Sequence, residues 1–251
     1  MQLDLLTALG VGGATVIGAL LGFVFKKISH TFSDIVLGFA AGVMLAAAII
    51  GLILPSVERG GDAGILIAIF GVFAGALCLN LTDRLVPHLH HLAGVDSENH
   101  PDTTAQVNKI LLFVLAIAIH NFPEGIAAGV GFGAGNDAEA LTIAGGIALQ
   151  NIPEGMVIIA PLLAAGISRG RTFWIAAMTG LVEVAGTLLG YFAVSLSVAV
   201  LPFALAFAGG TMLYVISDEM IPETHAHGHE RGATYALLAG FCLMLAVDFY
   251  L

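Results

Sequence analysis

Eight apolar runs, each about the length of a helix that crosses a bilayer, occupy most of this chain: residues 3–25, 35–55, 63–83, 108–131, 139–166, 172–195, 201–218 and 233–250. A hydrocarbon core of about 30 Å takes about 20 helical residues to cross, and within it every backbone N–H and C=O must be satisfied inside the segment. The pattern predicts an all-α integral membrane protein, one domain over residues 1–251 built from eight transmembrane helices. Only 10% of the residues are charged and 58% are hydrophobic, where a soluble domain carries roughly 25% charged residues. A soluble globule is therefore excluded. The sixth and seventh runs are nearly continuous, and Pro202 together with a combined length far beyond one span predicts a turn at 197–200. The first run lacks a basic leader and is too long for a signal peptide, so it is read as a retained span.

Sidedness follows from the basic residues. Lys26, Lys27, Arg84, Lys109, Arg169, Arg171 and Arg231 lie in or beside the odd-numbered connections, against Arg59 alone on the other side. The positive-inside bias then places both termini outside the cytoplasm. Eight of the nine histidines share the cytoplasmic side. Four of them fall in the 84–107 segment with Asp96, Glu98 and Asp102, a His-rich cytoplasmic loop without fixed ligand spacing. Glycine pairs four apart, Gly18 and Gly22, Gly38 and Gly42, Gly71 and Gly75, and Gly125 and Gly129, suit helices whose backbones approach closely in lipid. Cys78 and Cys242 lie in apolar runs without a CxxC partner and read as buried apolar fillers. The formal net charge of -10 leaves no basic stripe for phosphates, so nucleic acid is excluded as a partner and cations are favoured.

One motif occurs twice, thirty residues apart: His120-Asn121-Phe122-Pro123-Glu124-Gly125 in the fourth run and Gln150-Asn151-Ile152-Pro153-Glu154-Gly155 in the fifth. Both copies fall near mid-membrane. Adjacent spans run in opposite directions, so two such motifs at one depth are related by a pseudo-twofold axis in the membrane plane, as in inverted-repeat transporters. His120 with Glu124 and Gln150 with Glu154 stand i,i+4 on one helix face, and the ligands of the two helices are expected to converge. Pro123 and Pro153 leave the carbonyls of Ile119 and Leu149 without their usual donor and kink their helices, which is tolerated where backbone lines a cavity. Glu183 adds a third acid near the centre of the sixth run, with no basic residue in its span. Each acidic group at the bilayer centre costs on the order of 2.5 to 3.5 kcal/mol, so the three together cost about 8 to 10 kcal/mol if unpaired in lipid. One bound divalent ion leaves the three carboxylates at -1 and two leave them at +1, so a one-ion or two-ion site balances the charge. Imidazole, carboxylate and amide donors, with Met44 as a thioether at similar depth, favour zinc first, then iron or manganese, over calcium or magnesium.

The paired motif, the span count and the polar end of the seventh run resemble the Zrt/Irt-like (ZIP) metal transporters, in particular their prokaryotic GufA-like branch, over essentially the whole chain. The resemblance implies uptake of zinc, with cadmium, iron or manganese as alternatives, into the cytoplasm by alternating access, at a bacterial inner membrane. By that similarity His120, Glu124, Gln150, Glu154 and Met44 match one metal position, while Asn121, Asn151 and Glu183, with both motif glutamates bridging, match a second. Asp218, Glu219, Glu223 and His225 match the family's ion-exit region. This chain has Gln150 where many members have His, Asn151 where some have Asp, and Asp218 where His is common. The resemblance implies no catalytic cofactor and no enzymatic activity, with the lipid bilayer and divalent ions as partners and a homodimer left open. Two rivals remain on the residues alone: a passive cation channel on the same helices, and a membrane-embedded di-metal enzyme, which the lack of HExxH and of paired ExxH motifs disfavours.

Overall fold

A computed structural model describes residues 2–24, 29–85, 103–133, 137–164 and 166–250. Among them the chain is helical almost throughout: α1 Gln2–Val24, α2 His30–Ala46, α3 Leu54–Arg59, α4 Gly64–Leu85, α5 Thr103–Gly133, α6 Asp137–Ala164, α7 Arg169–Leu196, α8 Leu201–Val215, α9 Ile221–Thr224 and α10 Glu230–Tyr250. Seven stretches of the described residues are long and apolar enough to cross a membrane. α5, at 31 residues, is about 46 Å long at about 1.5 Å per residue. Large apolar side chains such as Phe70, Phe73, Trp174, Phe192 and Phe249 point outward from the bundle, the arrangement for a protein whose solvent is hydrocarbon.

Two of the rods are longer than the apolar runs that encode them. The second was expected to end at residue 55 and the seventh at 218, yet the helices continue to Arg59 and Thr224. A π-helical segment, Ala47–Ile53, joins α2 to α3, and another, Ile216–Met220, joins α8 to α9. In each case the residue before a proline reaches a carbonyl five residues back: Leu54 N–H to Ile49 O before Pro55, and Ile221 N–H to Ile216 O before Pro222. Widening the turn clears the proline ring from the preceding backbone, so the rod passes through it. Pro123 and Pro153 lie inside helices that run on past them. The turn at 197–200 is present: Ser197 is extended, Val198–Val200 forms a 3₁₀ turn, and Pro202 sits in the first turn of α8.

Two groups of helices form the bundle. In one, α1 packs on α6 and α7, and α7 on α5; in the other, α2 packs on α10 and α4 on α8. α5 and α6 pack on each other and also reach α8 and α2, which places the repeated motif where the groups meet. The glycine pairs do the close work. A Cβ on Gly18 would strike the Ile152 carbonyl, on Gly42 that of Leu237, on Gly75 that of Phe207, and on Gly125 that of Glu183.

The ends of the rods interlock. At one end Asp34, buried in α2, meets the turn before α10: its Oδ1 is hydrogen-bonded to His227 Nδ1 at 3.0 Å, and its Oδ2 lies 3.5 Å from His229 Nδ1. His30 stacks on His227 with ring centroids 4.4 Å apart. At the opposite end Ser56 donates to the Pro202 carbonyl at 2.6 Å.

Two further sequence-based expectations need correction. Cys78 and Cys242 are free but exposed, because apolar side chains on a lipid-facing helix surface need no protein cover. The His-rich loop is shorter than 84–107: α4 runs to Leu85 and α5 begins at Thr103, where the polar Thr-Thr-Ala-Gln sequence already forms the first helical turn. The remainder, with its four histidines, lies outside the described residues.

The close approach of α5 and α7 is testable at Gly125. Gly125→Ala forces its Cβ into the Glu183 carbonyl, and overpacking of this kind costs about 1–3 kcal/mol. Gly145→Ala, with nothing within 4 Å of the new atom, is the control. Thermal melting in detergent is expected to show a clear loss for the first and none for the second.

Candidate metal centre

Three acids meet around the repeated motif: its own Glu124 and Glu154, and Glu183 from a neighbouring helix. Glu124 on α5, Glu154 on α6 and Glu183 on α7 lie near enough for each to feel the others' charge. Glu124 and Glu183 are buried, and Glu154 is partly buried. They sit together because the motif helices cross where Gly125 admits the α7 backbone at Glu183 and Gly155 admits the α1 backbone at Thr15. Glycine at these positions lets helices carrying charged side chains pack at backbone contact, so the carboxylates face one another and not lipid.

Each acid has a distinct environment. Glu183 is fully buried and receives donors on both oxygens: Asn151 Nδ2 donates to Oε1 at 2.6 Å and Thr15 Oγ1 to Oε2 at 3.3 Å. Asn151 Nδ2 also donates to the Val11 carbonyl at 3.1 Å, which ties it to α1. Glu124 is reached by the Gln150 amide. Glu154 lies within the field of His120 and of Glu219. His120 Nε2 stands 2.7 Å from Glu219 Oε1, so the first motif is linked directly to the π segment after α8.

Four buried oxygens of this group have no hydrogen-bond donor among the described residues: Asn121 Oδ1, Glu124 Oε2, Gln150 Oε1 and Asn151 Oδ1. The Asn121 amide nitrogen is likewise without an acceptor. A buried acceptor without a partner costs about 1–3 kcal/mol, and buried polar groups are otherwise almost always paired. Unpaired oxygens gathered from both motifs beside three carboxylates make a region that attracts a cation and repels an anion.

The sequence-predicted residues fall into two sets. His120, Glu124, Gln150, Asn151, Glu154 and Glu183 are brought together with Glu219, which the sequence assigned to the exit, and Asn121 is buried in α5 with its amide unpaired among the described residues. The expected convergence is incomplete, because no three His, Cys, Asp or Glu side chains among the described residues are arranged to hold one ion as they stand. His120 is turned to Glu219, and Glu183 to Asn151 and Thr15. Met44 is wholly buried in the main apolar core with residues such as Ile147 and Met212. Asp218 and Glu223 are exposed, and His225 is engaged locally, its Nδ1 2.9 Å from the Ile221 carbonyl. Sequence reasoning missed Thr15 and Asp34. Nothing in their local sequence marks them, since a lone Thr or Asp in an apolar run shows its partner only after folding.

Helices clad in apolar side chains around a shared group of acids and unpaired acceptor oxygens define a multi-pass membrane protein with an acidic, polar centre. A family model described as ZIP zinc transporter matches residues 93–248. The chain is similar to zinc transporter GufA of Myxococcus xanthus, 44% identical over 99% of this chain and 98% of that one. It is 39% identical to zinc transporter ZIPB of Bordetella bronchiseptica over 94% of this chain and 77% of that protein. It is 33% identical to the human zinc transporter ZIP11 over 94% of this chain and 93% of that protein. The chain belongs to the ZIP zinc transporter family.

Asn151 is the most exacting of the local contacts. Asn151→Ala removes the amide that joins Glu183 to Val11, leaving Glu183 Oε1 buried without its donor. A loss of about 1–3 kcal/mol in the stability of the metal-free protein is expected, read as a lower melting temperature; an unchanged melt contradicts the contact.

Proposed function

We propose that this protein carries divalent metal ions, zinc foremost, across the cell membrane into the cytoplasm, through the centre between α5, α6 and α7. The observation that carries this reading is the set of four buried acceptor oxygens without donors beside Glu124, Glu154 and Glu183. In this reading His120, Glu124, Gln150, Glu154 and Met44 form one ion position, and Asn121, Asn151 and Glu183 a second bridged by Glu124 and Glu154. Carboxylate, imidazole and amide donors without a thiolate suit a borderline ion that must also be released. Cadmium, iron and manganese are further cargoes to examine.

The path out of the centre runs along the rod made of α8, its π segment and α9. Glu219 already holds His120, so an arriving ion competes with it for the imidazole, and Glu219 then receives the ion as it leaves. Asp218, Glu223 and His225 continue the path toward the cytoplasm. The eight-span architecture, with both termini outside the cytoplasm, is supported by the basic side chains of the odd-numbered connections and by the Asp34 contacts that join the first and last of those connections. An inverted repeat is supported by the matched pairings α1 with α6 and α7 with α5, α2 with α10 and α8 with α4, and by the paired π segments.

Zinc flux into proteoliposomes with an internal zinc-sensitive dye tests this reading. His120→Ala and Glu154→Ala are each expected to lower the initial rate at least about tenfold, the equivalent of about 1.4 kcal/mol, while the protein still inserts and melts cooperatively. Wild-type rates in both variants would remove this centre from the path. The wild-type rate is expected to saturate with zinc, as for a carrier; a steady current proportional to the gradient would mark a channel.

A further inference from the structure

Thr15 behaves unlike most of the buried threonines of the bundle. Thr142, Thr179, Thr187 and Thr211 each donate their hydroxyl to a carbonyl three or four residues earlier in their own helix, the usual recourse of a threonine in an apolar helix. Thr15, wholly buried in α1, directs its hydroxyl across to Oε2 of Glu183 on α7. Its place there is fixed by backbone contact: its carbonyl abuts Gly155, and a turn away Gly12 and Gly180 lie backbone to backbone. Val11, one turn earlier, holds the Asn151 amide that donates to Oε1 of the same carboxylate. One turn of α1 thus fixes both oxygens of an acid on another helix.

We propose that Thr15 is a positioning residue for Glu183, orienting its carboxylate for a divalent ion and so setting how tightly the centre binds. The inference rests on the reading of the centre as a divalent-ion site. A carboxylate oxygen has two lone pairs, so each oxygen of Glu183 can keep its present donor and still offer the other pair to an ion. A carboxylate held in this way loses less rotational freedom on binding, and partners one step behind a ligand commonly govern ten- to a hundredfold of metal affinity.

The test is equilibrium zinc binding to the full-length protein in detergent, which does not depend on transport. Thr15→Val, of similar shape without the hydroxyl, is expected to weaken zinc binding about tenfold or more, and Thr15→Ser, which keeps the hydroxyl, to stay near wild type. In a Glu183→Gln background Thr15→Val is expected to cause no further loss. Equal affinities for the Val and Ser variants, or the same loss with and without Glu183, would overturn the proposal. Zinc flux measured on the same preparations keeps the two readings apart: a wild type that binds zinc with the expected Thr15 pattern but moves none across the bilayer overturns the transport reading alone.

Discussion

Carboxylates within a hydrocarbon-solvated bundle are the constraint from which the rest of this structure follows. Three of them, set deep in their helices, can persist only where protein dipoles and a counter-charge replace the water they gave up. Neutral dipoles meet part of that need. Asn151 and Thr15 solvate Glu183, and Gln150 reaches Glu124. Four acceptor oxygens have no donor among the described residues, and under the proposed function a mobile doubly charged ion would satisfy them and lower the net charge in one step.

The packing serves that requirement. Donors on one helix must meet acids on another within hydrogen-bond distance, and bulky side chains between them would prevent it. Glycines at the crossings of α1, α5, α6 and α7 bring the backbones into contact at the level of the acids. The second group of helices is connected to the centre by a side-chain pair, His120 with Glu219. Backbone contacts thus fix side-chain geometry within one group, and the His120 to Glu219 pair joins that group to the other through side chains. The π segments give the two long rods, α2 with α3 and α8 with α9, a wide turn beside proline where a rod can bend at small cost.

Much of this was legible in the sequence, and the reason differs from element to element. The all-helical membrane class and the approximate limits of most spans follow from lipid's intolerance of unpaired backbone, which leaves a strong apolar signature. The repeated Asn-x-Pro-Glu-Gly pattern exposed the centre because polar groups at membrane depth are too costly to be incidental. The glycine pairs marked the close contacts for the same reason that they permit them. The extensions to Arg59 and Thr224 were hidden because a π turn has no sequence signature beyond the proline that it accommodates. The outward direction of Cys78 and Cys242 was hidden because apolar residues face lipid and core alike. Thr15, Asp34 and the His120 to Glu219 pairing depend on which helices become neighbours, and no local pattern carries that information.

The central claim is that one or two divalent ions sit among Glu124, Glu154 and Glu183. Anomalous scattering at the zinc edge from the zinc-loaded protein tests it most directly. The account expects a peak between α5, α6 and α7, with carboxylate oxygens of Glu124 and Glu154 at about 2.0–2.2 Å. Zinc found only at surface histidines, with those carboxylates unchanged, would contradict it.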